Sequence, residues 1–240
     1  MILIASGLQR EAAILSREGV LAIPGGGGSA RLEAALEAAA PGATMILSCG
    51  IGGALDPALK AGDVVLHLPP FASSEVEKQA TSAAQGVSMS RLRSTEPALD
   101  TNGWGSWVQG LKAALPHAHL GLIIGQDHIA ATVAEKAALH AATGALAVDM
   151  ESHIAAHLAA HHGLPFAAIR TISDTAAETL PPAALVGMNP DGSMALGKVL
   201  LSLARNPAQL PALIRTGRSA EAAFQALGRV AEAIAALNKA

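Results

Sequence analysis

Two short stretches hold the acids best placed to do chemistry. In LAVDMESHIAAH (146–157) an apolar run ends in Asp149 and Glu151, set around Met150, where the chain turns into a helix. In PFAAIRTISD (165–174) a second apolar run contains Arg170 and ends in Ser173 and Asp174. Charged groups at the edge of a buried strand are expensive unless they are paired or used. In open α/β sheets, ligands gather at the carboxyl ends of strands. The expected strand ends here are 7–11, 25–28, 50–53, 125–128, 149–151 and 173–174, and small residues and acids dominate them. That is the composition of a pocket with close backbone approach and a few placed carboxylates.

The elements that must position these residues alternate. Strands are expected at 1–6, 20–24, 44–50, 63–68, 118–125, 145–150 and 165–173, with helices at 8–18, 29–40, 104–115, 131–142 and 151–163. The stretch from about 72 to 103 is less regular and reads as loops, a short helix and an edge strand. Strands that are apolar throughout, in βαβα order, predict an α/β fold: a single domain with a central mixed, twisted β-sheet flanked by helices. After Asp174 the chain becomes Pro-punctuated and helical, so one domain over 1–240 with a helical C-terminal segment at 176–240 is expected.

Composition narrows the class. Of 240 residues, 51% are hydrophobic, 15% charged and only 2% aromatic, which predicts an aliphatic, alanine-rich core. A formal net charge of −3 offers no general attraction for nucleic acid. Cys49 is the single cysteine, so no intrachain disulfide forms and a cytoplasmic location is expected. The opening MILIASGLQRE lacks a basic n-region, and no run approaches 18 uncharged apolar residues, so neither a signal peptide nor a membrane span is expected. Mean hydropathy is nonetheless high, at +0.38.

The order VDMES, one helix, a Gly-x-Pro-Phe turn and a strand ending IRTISD resembles the purine nucleoside phosphorylase and methylthioadenosine/S-adenosylhomocysteine nucleosidase superfamily. GGALDPALKAGDVVL (52–66) and GQDHIA (125–130) resemble further segments of that family, and all occur in its order. GLQREA, CGIGGALDP, TVAEKAALHAATGALAVDMESH and the tail from LPPAALVGM to LIRTGRSA look like the hopanoid-associated phosphorylases in particular. The resemblance implies a nucleoside phosphorylase-like fold and release of adenine from adenosylhopane. It also implies a homodimer and no metal or organic cofactor.

Cleaving an N-glycosidic bond to a purine passes through an oxocarbenium-like ribosyl group while charge moves onto the departing base. The resemblance then gives Asp174 the task of holding or donating a proton at the base's five-membered ring, with Ser173 orienting it. Burial would move this carboxyl toward the range useful to a general acid. Glu151 would accept hydrogen bonds from ribose hydroxyls and stabilise positive charge on the sugar, and Met150 would pack on the sugar's apolar face. His128 and Ile129 fall in the base-binding segment, with Ile129 standing where many nucleosidases stack an aromatic on adenine. Arg170 belongs with this substrate-binding set, a salt bridge to the acids being its favoured role. Asp149 has no assigned direction.

The nucleophile divides the family. Glu11 matches a glutamate that orients water in the nucleosidases, and Arg10 an arginine that binds phosphate in several phosphorylases. The tetraglycine 25–28, represented by Gly26, would add backbone N–H groups for an anion. Gly7, Gly50 and Ile51 complete the expected phosphate set, Ile51 standing where many relatives carry a serine. Phosphate is therefore the expected co-substrate. A nucleosidase for methylthioadenosine, S-adenosylhomocysteine or futalosine is the alternative, and a silent nucleoside- or lipid-binding protein is a more distant one.

Plain structural readings stand beside these. Glu151 suits a helix N-terminus and Asp174 a helix cap. His153, His157 and His161 share a helix face, but His-Glu-x-x-His is absent, so no metal is expected. Cys49 reads as a small core residue. The leucine-rich segments within 176–217 read either as a closing layer or as the wall of a greasy mouth for a lipid-linked nucleoside, peripheral at the inner face of a membrane.

Overall fold

A computed structural model describes residues 1–69 and 103–239. The strands among them are β1 (Ile2–Ser6), β2 (Val20–Pro24), β3 (Met45–Ala54), β4 (Val64–His67), β5 (His119–Leu120), β6 (Ile123–Gly125), β7 (Ala147–Asp149) and β8 (Phe166–Asp174). The helices are α1 (Gln9–Leu15), α2 (Ser29–Ala39), α3 (Trp104–Ala114), α4 (Val133–Thr143), α5 (Ser152–His162), α6 (Pro182–Leu185), α7 (Leu196–Arg205) and α8 (Leu210–Leu237). Every residue of β1 is buried. Ile2 and Ile4 join one core and Leu3 and Ala5 the other, the period-two pattern of a strand covered on both faces.

The sheet order is β2-β1-β3-β8-β4-β5, with β7 joined to the far end of β3 and β6 to β7. β1, β2, β3 and β8 are mutually parallel, β4 runs antiparallel to β8, and β7 antiparallel to β3. The mixed sheet, helix-covered on both faces, matches the α/β expectation. One face carries α1, α3 and α8, whose Leu15, Leu111, Leu227 and Val230 pack on Ile2, Ile4, Leu47 and Ile169. The other carries α2 and α5, with Leu32, Leu36, Ile154 and Leu158 against Leu3 and Ile46. Each such aliphatic side chain contributes roughly 1.5–3 kcal/mol on burial.

Three elements differ from the sequence expectation. The strand expected at 118–125 is two strands: β5 pairs with β4 and β6 with β7. Between them Gly121 donates its N–H to the Leu66 carbonyl and lies against Leu146, where a Cβ would come within 2.4 Å of Cδ1. β3 runs past Gly50, its expected end, because 50–53 go on pairing with β8. α1 stops at Leu15, since Ser16 is extended and Arg17 bridges to Val20. The irregular elements expected at 72–103 lie outside the described residues, save Gly103.

The register between β3 and β8 slips at Gly52/Gly53, so that Gly52 faces Ile172 and Gly53 faces Asp174. Such a bulge leaves one residue unpaired and re-aims its neighbours. Ser173 is that residue, and the slip brings its side chain alongside that of Asp174.

Candidate active site

A cavity of about 730 Å³ opens where β1, β7 and β8 end, along the last residues of β3. Glu11, Met150, Glu151, Ser173 and Asp174 all line it. Glu11 comes from the first turn of α1, Glu151 from the residue before α5, and Asp174 from the tip of β8.

Glu11 is almost fully buried, and backbone N–H groups grip both its oxygens. Gly7 and Leu8 each donate to Oε2 at 2.7 Å, and Ile51 donates to Oε1 at 2.7 Å. Burial pushes its carboxyl above the ordinary value, and these hydrogen bonds with the charge of Arg170 oppose the rise. Glycine is required at two points here. A Cβ on Gly50 would stand 2.7 Å from Glu11 Oε1, and one on Gly7 would stand 2.9 Å from Glu151 Oε1.

Beneath the acids lies Arg170, fully buried on β8. Its Nε sits 2.9 Å from Asp149 Oδ2 as an ion pair without hydrogen-bond alignment. Its terminal nitrogens donate to Ser48 Oγ at 2.6 Å, to Glu151 Oε2 at 3.3 Å and to the Ile169 carbonyl. Asp149 also accepts the N–H groups of Glu151 and Ser152 and the Ser152 hydroxyl, so it caps α5 and anchors Arg170. Burial, then the charges of Asp149 and Glu11, push Glu151 up to about 8, against the pull of Arg170. A carboxyl so tuned changes charge near neutrality, as groups in reacting sites do.

Asp174 has Ser173 beside it, as expected, but its charged partner is a lysine and not Arg170. Its Oδ2 lies 2.5 Å from Nζ of Lys136, and its Oδ1 accepts the Ser173 hydroxyl at 2.9 Å. Ser173 Oγ also lies 3.2 Å from the Gly52 carbonyl. Lys136, on α4, went unnoticed in the sequence. The one available signal is its helical phase, which puts it in line with the half-buried Leu139 and His140.

Other expected site residues fall differently. Arg170 does not reach the cavity, so it serves the acids and not the substrate directly. His128 and Ile129 are at the rim, His128 paired to Glu135 at 3.1 Å. Of the expected phosphate set, Gly7, Arg10 and Ile51 line the cavity, and Gly26 and Gly50 do not. Arg10 lines the cavity, but its guanidinium pairs with Glu221 at 2.8 Å and lies 4.0 Å from the Phe224 ring centroid. The N–H groups of Gly7 and Ile51 are taken by Glu11, and Gly50 is paired with Arg170 in the sheet. The glycine loop is a turn and not an anion nest. Gly25, Gly26 and Gly28 donate to the carbonyls of Ser6, Gly7 and Gly25. Gly26, at φ +64°, packs so closely on the Pro190 carbonyl that a Cβ would fall 2.2 Å from it.

Cys49 is buried and its thiol is pushed up to about 12, unsuited to nucleophilic attack. His153 faces Asp127 at 3.2 Å, while His162 faces Glu37 at 2.9 Å beside His161, away from the cavity.

Comparison with solved structures places the fold. S-adenosylhomocysteine nucleosidase from Streptococcus pyogenes, solved with 5-methylthiotubericidin, aligns at TM-score 0.54 and 18% identity, over 95% of this chain and 94% of that one. A 5′-methylthioadenosine/S-adenosylhomocysteine nucleosidase from Colwellia psychrerythraea in complex with adenine aligns at 0.54 and 19%, over 84% and 93%. The Helicobacter pylori nucleosidase of the same name aligns at 0.55 and 17%, over 98% and 96%. No curated protein matches the chain. The sequence profile described as the phosphorylase superfamily matches residues 7–205, from the turn after β1 to the last residue of α7. That span takes in Glu11, Asp149, Glu151 and Asp174 of the cavity, and the chain belongs to the phosphorylase superfamily.

Proposed function

We propose that this enzyme cleaves the N-glycosidic bond of an adenine nucleoside whose 5′ side carries a large apolar group, and that adenosylhopane is the substrate. The observation that carries the reading is the convergence of Glu11, Glu151 and Asp174 on one cavity, whose far wall is apolar: Leu180, Met188, Met194, Leu196, Val199 and Leu213. Adenine as the base is supported by the Colwellia neighbour, solved with adenine, and the lipid tail by the sequence resemblance.

As the C1′–N9 bond lengthens, its electron pair moves onto the base and positive charge grows on the sugar. The base takes up a proton from solvent at N7, and Asp174, facing it, accepts the hydrogen bond of that N–H. Glu151 takes the ribose hydroxyls, and Met150 covers the sugar. The expectation of phosphate rested on Arg10 and the glycine loop, both engaged elsewhere. Arg10 is the only lysine or arginine among the described residues of the lining, and two glutamates stand beside it. We therefore take water, held by Glu11, as the nucleophile: its oxygen bonds to C1′ as the C1′–N9 bond breaks, and one of its protons passes to the Glu11 carboxylate. The exposed Leu196, Leu200 and Leu201 of α7 border the apolar wall and would meet a membrane surface. No helix among the described residues is long and apolar enough to cross a membrane.

The test is incubation with adenosylhopane, with and without phosphate, and mass identification of the sugar product. Adenine and a free ribosyl product without phosphate are expected. A phosphorylated product formed only with phosphate would replace water by phosphate, and absence of adenine in both would refute the reading. Faster turnover of 5′-methylthioadenosine than of the lipid-linked nucleoside would assign the site to a small nucleoside.

A further inference from the structure

Lys136 has no part in the chemistry above, yet its surroundings are built around it. The side chain is fully buried behind Asp174 and does not line the cavity. Its three ammonium donors are all used, on Asp174 Oδ2 at 2.5 Å, the Thr175 carbonyl at 2.8 Å and the Glu178 carbonyl at 2.9 Å. A buried ammonium is tolerated only with such partners. Two backbone carbonyls hold the cationic form, since a neutral amine has one proton fewer than there are acceptors.

This arrangement decides what Asp174 can offer a ligand. Ser173 donates to one oxygen and Lys136 to the other. A carboxylate so held has only lone pairs left for the cavity. The edge of a purine nearest such a group presents N7 and the substituent on C6. A 6-amino group donates a hydrogen bond, as does N7 once it carries a proton. A 6-oxo group beside N7 presents two acceptors, which a carboxylate repels.

We propose that Lys136 is a positioning residue that keeps Asp174 a hydrogen-bond acceptor and so restricts the site to 6-aminopurines. The inference rests on the adenine-nucleoside reading and adds its basis for base selection. Without the ammonium, Oδ2 loses its donor, nothing holds Asp174 in the acceptor role, and a 6-oxopurine is no longer excluded.

The test compares 5′-methylthioadenosine with 5′-methylthioinosine, which differ only at C6, in wild type, Lys136→Met and Lys136→Gln. Wild type should prefer the 6-amino nucleoside by about tenfold or more in kcat/KM, the scale of one unmet buried hydrogen bond. Lys136→Met should lose most of that preference, and Lys136→Gln, which keeps a donor without the charge, should lie between. A merely structural lysine would lower both activities together and leave the ratio in place, which would overturn the proposal. Equal use of both nucleosides by wild type would overturn it as well, whatever the variants do. A wild type that releases no base from either compound, and binds neither adenine nor hypoxanthine in calorimetry, fails earlier, at the adenine-nucleoside reading itself.

Discussion

At the scale of single residues, the site is three carboxyl groups in three environments. Asp174 meets an ammonium, Glu151 a shared guanidinium, and Glu11 three backbone donors. Asp174→Asn should lower adenine release by about 100-fold or more, the range of a positioned proton-handling group; near-normal turnover would remove Asp174 from its role. Glu151 gives a pH signature. Its carboxyl rises from 4.5 to about 8 on folding, so the native state binds the extra proton between those values. The resulting stability is fully present below 4.5 and is lost as pH rises through about 8. Thermal melts of wild type should therefore decline from pH 5 to pH 8 more than those of Glu151→Gln. Parallel curves would show that another group carries the dependence.

At the scale of elements, β3 and β8 do the positioning. β3 continues as a strand through its glycines because β8 supplies a hydrogen-bonding partner, and this continuation brings the Ile51 N–H to Glu11. Gly50→Ala tests how tight that approach is. The added methyl would meet Glu11 Oε1 at 2.7 Å and force the carboxylate or the strand to move. A loss of about 1–3 kcal/mol in urea unfolding is expected, as for other overpacked interiors, together with reduced turnover. Unchanged values in both would mean that the carboxylate has room to swing. α8 is the opposite case, a helix whose buried Leu227, Val230 and Ile234 close one face of the sheet. Leu227→Ala there should cost about 2–5 kcal/mol in the same measurement.

At the scale of the whole molecule, apolar surface is concentrated near one mouth. α7 has no buried residue, and Leu196, Leu200 and Leu201 are each more than half exposed, as is Met194 just before it. Lys198, Arg205, Arg215 and Arg218 are exposed on the same stretch of chain, which suits an anionic lipid surface. The protein should co-sediment with anionic liposomes. Replacing both Leu200 and Leu201 by Asp should release it while leaving turnover of 5′-methylthioadenosine unchanged. Wild-type protein that stays in the supernatant, with or without substrate, would refute the membrane reading.

The alternation of apolar strands with helices was legible along the chain, because a strand covered on both faces must be apolar at every position, and the pairing of VDMES with IRTISD marked where the acids would fall. Side-chain type and local order suffice for that much. They do not say which donor meets which acceptor. Arg10 and Gly26 have the right chemistry for an anion, but Glu221, distant in sequence, pairs with the guanidinium of the one, and the Gly7 carbonyl takes the N–H of the other. Asp174 has the right place for an acid, but its partner is Lys136, separated from it by α5 and two strands. Burial and pairing are long-range properties of the folded chain, and the charge state of a buried group is settled by neighbours that only the tertiary structure brings into contact.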